Sequence, residues 1–154
     1  MSQLQRALLD ETALLRRFIE VLREEQSSLS TGQADALADL GTAKLDLVEK
    51  LNAAEQERLR LLGLTPAQSS RQDTAEWFRL HPAESAARQS WEQLIALARE
   101  ARELHVMNGE LIAMHLAKTS EALDILTQRQ SEASLYGSDG QAATGSGSRI
   151  VDSA

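Results

Sequence analysis

The most restrictive feature of this sequence is a run of leucines spaced seven residues apart near its amino terminus. The series consists of Leu8, Leu15, Leu22 and Leu29, with alternating positions filled by Leu4 and Phe18. A seven-residue repeat places such side chains along one stripe of an α-helix, where they can form a long packed seam. We therefore predict a helix from Ser2 to about Ser30 that packs against another helix.

Two acidic residues interrupt this seam. Glu11 and Glu25 occupy positions where the repeat calls for apolar side chains. A strict two-stranded coiled coil would not place acids there. The interruption favours a helical bundle, or a seam that drifts toward Leu9, Thr12 and Ile19.

The apolar composition supports a helical fold. The chain has 25 Leu and 23 Ala but only 4 Val and 5 Ile, and aromatic residues make up 3%. Leu and Ala are strong helix formers, whereas β-branched and aromatic side chains suit pleated sheets. The predicted fold class is all-α.

A second helix is predicted after the break at Ser30–Gly32, with Asp35 as a candidate cap near its start. Its leucines recur at spacings of three and four, and Lys44 and Arg58 fill intervening seam positions with their aliphatic stems. Gly63, followed by Leu64 and Pro66, matches a left-handed glycine cap that ends a helix. The first two helices should form a hairpin.

The second connection, residues 65–82, should contain a short helix over 73–80, around Trp77 and Phe78. A third long helix is predicted from about Ala83 to Gln130, continuous through Asn108-Gly109 with a local bend. A helix of about 48 residues would be roughly 70 Å long, which exceeds a compact domain of this size. The expected architecture is an elongated antiparallel bundle of three long helices, with a short extra helix in the second connection.

The composition changes after Tyr136. Residues 137–154 contain 4 of the 8 glycines, together with several serines. Such a segment buries too little apolar surface to offset its conformational entropy. We predict a helical domain over 1–136 and a flexible, disordered tail over 137–154.

Charge and composition exclude several classes of protein. The net charge is −7, which disfavours nucleic-acid binding because that requires clustered cations. Zero cysteines exclude disulfides and thiolate chemistry. No apolar run approaches the roughly 18 residues of a membrane span, and the amino terminus lacks a signal-peptide pattern. We expect a cytoplasmic protein without membrane insertion.

The residues for catalysis or metal binding are sparse. The imidazoles belong to His81, His105 and His115; the last two are too far apart on one helix to hold the same ion. No glycine-rich phosphate loop is present, and adjacent acids such as Glu24-Glu25 point to different helix faces. The sequence predicts no enzyme activity, no metal site and no cofactor.

Polar residues lie within an otherwise apolar stripe of the third helix. Asn108 and His115 share the helical spacing of Leu104 and Leu111. One interpretation is that they face solvent or set helix register. The other is that this stripe, including Ile112, forms a groove of mixed polarity for a partner's amphipathic helix.

Three stretches of the sequence carry a family resemblance. They are 24–33 with the following helix 44–58, the segment Leu-His-Val-Met-Asn-Gly-Glu-Leu-Ile at 104–112, and Leu-Tyr-Gly-Ser-Asp-Gly-Gln at 135–141. In this order the chain resembles the FlgN-type flagellar export chaperones. It departs from the family pattern at His105, where related chains often carry Asn.

The resemblance implies a function and two interaction sites. It suggests a small acidic chaperone that binds the hook-filament junction proteins, of the FlgK and FlgL types, and prevents their premature assembly. Such a chaperone delivers these clients to the flagellar type III export gate. The client-binding candidates are Leu104, Asn108, Leu111, Ile112 and His115. Tyr136, in the matching tail motif, is the candidate docking residue for the gate.

A different class of protein remains open at this point. A non-enzymatic coiled-coil adaptor or oligomeric spacer could have the same composition, and self-association of the bundle is possible. A regulatory bundle that accompanies an enzyme is a third interpretation. These differ from a chaperone in their partners rather than in their helices.

Overall fold

A computed structural model describes the backbone of residues 1–135 and the side chains of residues 1–128, and this part of the chain is helical. The long helices are α1 (Gln3–Thr31), α2 (Leu37–Leu62) and α4 (Ser85–Leu135). The connection between α2 and α4 contains a short 3-10 turn at Pro66–Gln68 and the helix α3 (Arg71–Leu80). The prediction of three long helices with a short extra helix in the second connection is confirmed. The predicted tail over 137–154 lies outside the described residues.

Local signals at the helix ends explain the boundaries of α1. Its first turn is capped by Ser2, whose Oγ accepts a hydrogen bond of 3.0 Å from the backbone N–H of Gln5. The helix ends at Gly32, which has a φ of 71°. Only glycine adopts this left-handed conformation without steric cost, so the chain can leave the helix there.

The predicted stop of α2 at Gly63 is also confirmed. Gly63 has a φ of 70°, and its N–H donates to the carbonyl of Arg60. The N–H of Leu64 reaches back to the carbonyl of Leu59 at 2.9 Å. The second helix starts near Asp35, as predicted, but Asp35 does not cap it, because Ala36 precedes the first turn and no side chain caps that end.

The short helix α3 contributes an aromatic side chain to the core. Ser70 caps its start by accepting a hydrogen bond from the N–H of Asp73 at 3.1 Å. Phe78 is only 3% exposed, and Trp77 packs edge-on against it and stacks on His81 with ring centroids 3.9 Å apart. The connection between α2 and α4 is therefore anchored to the bundle.

The chain divides into two compact units. The first runs from Met1 to Leu111, and the second begins at Ile112. The helix α4 is continuous through Asn108 and Gly109, as predicted, and Gly109 does not have a positive φ. The core of the first unit contains Leu4, Leu8, Leu15, Ile19, Leu22, Leu62, Phe78, Ala87, Trp91, Leu94 and Ala101.

The two acids that interrupt the leucine seam are buried and paired with bases from α2. Glu11 accepts from Arg58 Nε at 2.8 Å, and Glu25 lies 3.0 Å from Lys44 Nζ. Glu11 and Glu25 are fourteen residues apart, as are Lys44 and Arg58, so antiparallel helices align both pairs at once. The acids therefore belong to the seam rather than marking its end.

The alternative of a drifting seam is partly supported by burial. Thr12 and Ile19 are buried beside the leucine series, whereas Leu9 is 39% exposed. Thr12 satisfies its hydroxyl by donating to the carbonyl of Leu8 at 2.7 Å. Burial is thus wider than a two-helix stripe, which is expected when a third helix also packs against α1.

A residue from α4 contacts each of the two ion pairs. The guanidinium of Arg58 lies over the ring of Trp91, 4.8 Å from its centroid. Asn108 donates to Glu25 Oε1 at 2.9 Å and to the carbonyl of Leu22 at 2.8 Å. Trp91 contacts the Glu11–Arg58 pair, and Asn108, which comes later in α4, contacts the Glu25–Lys44 pair. This part of α4 therefore runs parallel to α1 and antiparallel to α2.

Candidate functional site

The second unit exposes a row of apolar side chains along α4. Ile112 is 42% exposed, Leu116 65%, Leu123 58% and Leu126 59%. Every described side chain from Ile112 to residue 128 is exposed. These leucines and isoleucine therefore cover no other part of the second unit that the structure describes.

The exposed residues follow a heptad pattern. Positions 112, 116, 119, 123 and 126 alternate spacings of four and three, with Thr119 as the polar member. We call these five residues the α4 stripe. Such spacing aligns side chains on one helix face and matches the anchors that an amphipathic helix uses to bind another helix. A contiguous apolar stripe exposed to water marks an interaction surface more clearly than single exposed leucines do.

Two of the five predicted client-binding residues pack against the bundle. Leu104 is half-buried and lies against the core cluster. Asn108 is 1% exposed, and its amide nitrogen is bonded to Leu22 and Glu25. In this conformation the Asn108 side chain sets the position of α4 on α1, which is the structural alternative raised for it from the sequence.

The other predicted residues are more accessible. Leu111 is half-buried at the end of the first unit, and His115 is exposed in the second. Ile112 belongs to the α4 stripe. The backbone carbonyl of His115 accepts a hydrogen bond of 2.9 Å from the Thr119 hydroxyl. Tyr136, the predicted docking residue, lies outside the described residues.

Three members of the exposed apolar row were not predicted from the sequence. Leu116, Leu123 and Leu126 were not among the predicted binding residues, although they continue the spacing that starts at Ile112. The spacing alone could have identified the row. Its exposure could not be read from sequence, because the same pattern also describes a helix face that is buried in a bundle.

Metal-ligating side chains do not cluster among the residues that the structure describes. Within residues 1–128, no three His, Asp or Glu side chains lie together as metal ligands. The buried charged side chains belong to two polar nodes, one around Glu11 and one around Glu25, where each carboxylate is neutralised by a base. Their chemistry is structural pairing between helices.

The described helices do not have the properties of a membrane span. Over the part of the chain that the structure describes, none is both long enough and apolar enough to cross a bilayer.

Comparison with known proteins gives a consistent result. The sequence model of the family described as "FlgN protein" matches residues 1–144. A flagella synthesis protein FlgN from Proteus mirabilis is 29% identical over 146 residues, covering 92% of this chain and 91% of its own length. The FlgN of Salmonella typhimurium is 29% identical over 143 residues, with the same coverage. No solved structure matches significantly.

The family match extends across both units and includes the α4 stripe. It therefore covers the bundle with its two polar nodes and the exposed helix together. The chain belongs to the FlgN family of flagella synthesis proteins, whose members act as non-enzymatic chaperones in flagellar export.

Proposed function

We propose that this protein is a cytoplasmic type III export chaperone for the hook-filament junction proteins of the FlgK and FlgL types. It binds these clients before secretion, prevents their premature assembly and delivers them to the export gate. Family membership supports the chaperone role. The observation that carries the binding site is the exposed α4 stripe, which has the spacing of a helix-binding face.

The stripe provides the main contact with the client. Four large apolar side chains, with exposed fractions between 42% and 65%, become buried when an amphipathic client helix lies against them. Full burial of one leucine contributes about 1.5–3 kcal/mol. Ordering a client segment that is disordered alone offsets part of this gain. The resulting affinity is moderate, which suits a chaperone that must release its cargo.

Substitution within the stripe tests this proposal. Leu123→Asp places a charge at the centre of the contact and should weaken co-purification with FlgK-type and FlgL-type clients by at least about tenfold, or about 1.4 kcal/mol. Leu80→Asp is the matched control, because Leu80 is 62% exposed on α3. Unchanged client binding by a folded Leu123→Asp variant would remove the stripe from the proposal. Leu111→Asp tests whether the contact extends into the half-buried end of the first unit.

The gate-docking role rests on Tyr136 and its sequence motif. A tyrosine offers a large contact area with little loss of side-chain entropy, which is typical of interface hot spots. Tyr136→Ala should spare client binding and weaken binding to the export gate, measured with purified components. Loss of both activities in a folded variant would argue against separate sites.

The exposed stripe also fits a second candidate function, an oligomeric spacer in which two copies pair through α4. Heptad spacing of this kind supports helix pairing between identical chains. Light scattering at low micromolar concentration separates the two functions. A stable dimer that Leu123→Asp dissociates favours the spacer, whereas a monomer that binds client favours the chaperone.

A further inference from the structure

An apolar groove lies within the first unit, between α2 and α4. It has a volume of about 640 Å³ and is formed by residues from three helices. Its lining consists of Phe18, Gly41, Lys44, Leu45, Val48, Ala101, Arg102 and His105. This size falls within the range of about 300–1,000 Å³ that protein binding pockets occupy.

The apolar wall of this groove is contributed mainly by α2. Leu45 is 73% exposed and Val48 is 40% exposed, one helical turn apart, and neither belongs to the core cluster. Phe18 is partly buried at the edge of the core, and Ala101 is buried. Isolated apolar residues on a surface need no explanation, but a set that converges on one concave site indicates an interaction surface.

The charge lining the groove is opposite to that of the whole protein. The chain carries a net charge of −7, yet none of the residues that line the groove is acidic. Lys44 is paired with Glu25, whereas Arg102 forms no ion pair with any residue that the structure describes. The Arg102 guanidinium therefore lies beside the apolar wall and attracts an acidic partner, and the His105 imidazole beside it can donate a hydrogen bond.

Gly41 leaves open space beside α2 where it lines the groove. A Cβ atom added at Gly41 would meet no heavy atom within 4 Å. A partner can approach the helix closely at this point, as small residues allow in helix packing. The same open space permits substitutions at Gly41 that change the groove without disturbing the bundle.

We propose that this groove binds an α-helical segment of a partner protein whose apolar face is flanked by Asp or Glu. Leucine-sized side chains of the segment pack against Leu45 and Val48, and its carboxylates meet Arg102. The surface shares no residue with the α4 stripe, so it is a second interaction site beyond the proposed client contact. It gives the chaperone a way to engage another protein while the stripe is occupied.

A designed peptide tests this proposal with the full-length protein. The probe is a fluorescent amphipathic peptide of about 18 residues, five helical turns, with Leu on one face and Glu along both flanks. A second peptide replaces every Glu with Lys. Fluorescence anisotropy should show at least tenfold tighter binding of the Glu peptide. Equal affinity for the two peptides, or no binding of either, would overturn the proposal.

Charge reversal locates the binding site. Arg102→Glu should weaken binding of the Glu peptide about tenfold and allow the Lys peptide to bind. Arg16→Glu makes the same change in net charge at an exposed position on α1 and should leave both affinities unchanged. Identical effects of these two substitutions would mean that only overall charge matters, which contradicts a site at the groove.

Substitution of Gly41 tests the groove itself. Gly41→Glu adds a carboxylate where the peptide should lie and should abolish binding of the Glu peptide, whereas Gly41→Ala should preserve it. Leu123→Asp should also preserve it, and loss of binding in that variant alone would assign the peptide to the α4 stripe. Sedimentation distinguishes a second copy as occupant, since a dimer that Gly41→Glu dissociates would overturn the proposed acidic partner.

Discussion

Asn108 of α4 donates a hydrogen bond of 2.9 Å to the carboxylate of Glu25 on α1, in the buried centre of the helices. The same carboxylate is bound by Lys44 of α2, so one side chain joins all three long helices. This contact attaches α4 to α1 shortly before the α4 stripe begins at Ile112. Loss of the Asn108 hydrogen bond should therefore weaken the attachment of α4 to α1 more than it weakens client binding by the α4 stripe.

Asn108→Ala should destabilise the protein by about 1–3 kcal/mol, because Glu25 and the Leu22 carbonyl lose a buried donor. The free energy of unfolding in urea measures this loss. Asn52→Ala is the control, since Asn52 is exposed on α2. If Asn108→Ala leaves stability unchanged but weakens client binding, then Asn108 acts in recognition and its role in holding α4 is wrong.

Arg58→Met should be more damaging than loss of an exposed arginine. Arg58 is 5% exposed, and its removal leaves Glu11 buried without a counterion. Breaking such a pair typically costs about 3–5 kcal/mol. The double variant Glu11→Leu/Arg58→Met should recover much of the loss, because no unpaired charge remains. Thermal unfolding of the single and double variants measures the coupling.

Truncation of a core leucine should lower the stability of the protein far more than truncation of a leucine in the α4 stripe. Leu22 is fully buried, so its truncation should lower the free energy of unfolding by about 2–5 kcal/mol. Leu123 is 58% exposed, and the same change there should shift it by less than about 0.5 kcal/mol. Urea unfolding of both variants provides the comparison. A large loss for Leu123→Ala would mean that the stripe is already covered within the protein.

Two glycine-to-alanine substitutions should change the free energy of unfolding in opposite directions. Gly63→Ala places a side chain in a left-handed conformation and should destabilise by about 1–2 kcal/mol. Gly41→Ala lies inside α2 with open space around the new methyl group, and should stabilise by about 0.5–1 kcal/mol. Melting temperatures would reveal the contrast. Equal effects would contradict the assignment of Gly63 as the helix cap.

The exposed pair Glu57–Arg60 gives a pH-dependent prediction. A hydrogen bond from the Arg60 guanidinium, at 2.7 Å, lowers the pKa of the Glu57 carboxyl from its ordinary value. A carboxyl whose pKa is lower in the folded protein than in the unfolded chain contributes stability when it is ionised. That contribution is present at higher pH and is lost as the pH falls through the folded-state pKa. Arg60→Met should raise the pKa of Glu57, as measured by NMR titration of its side-chain carboxyl. Global stability should change little, because the pair is exposed.

Local signals explain which parts of the fold were predictable. The seven-residue spacing identified α1, and Gly63 identified the end of α2, because each depends on neighbours within a turn or two. The capping role predicted for Asp35 was wrong, because Asp35 lies one position before Ala36, the residue that precedes the helix. Boundaries of this kind depend on backbone geometry that composition does not encode.

The parts that could not be predicted depend on contacts distant in sequence. Glu11 and Glu25 were recognised as interruptions, and Arg58 and Lys44 as seam residues, but their pairing follows only when α1 and α2 are aligned. Asn108 reaches Glu25 across 83 residues of sequence. The exposure of the α4 stripe likewise depends on what packs against it, since buried and exposed heptads share one pattern.

The fourteen-residue spacing of the two ion pairs has a consequence for folding. Leucines repeated every seven residues allow several alignments of α1 with α2, since a slide by one heptad still places leucine near leucine. A shift of one heptad would leave Glu11 and Glu25 buried opposite apolar or turn residues. A shift of two heptads would bring only one of the two acids opposite a base. Each unpaired buried charge costs several kcal/mol. The two acids therefore destabilise misaligned hairpins, which leucine packing alone would tolerate.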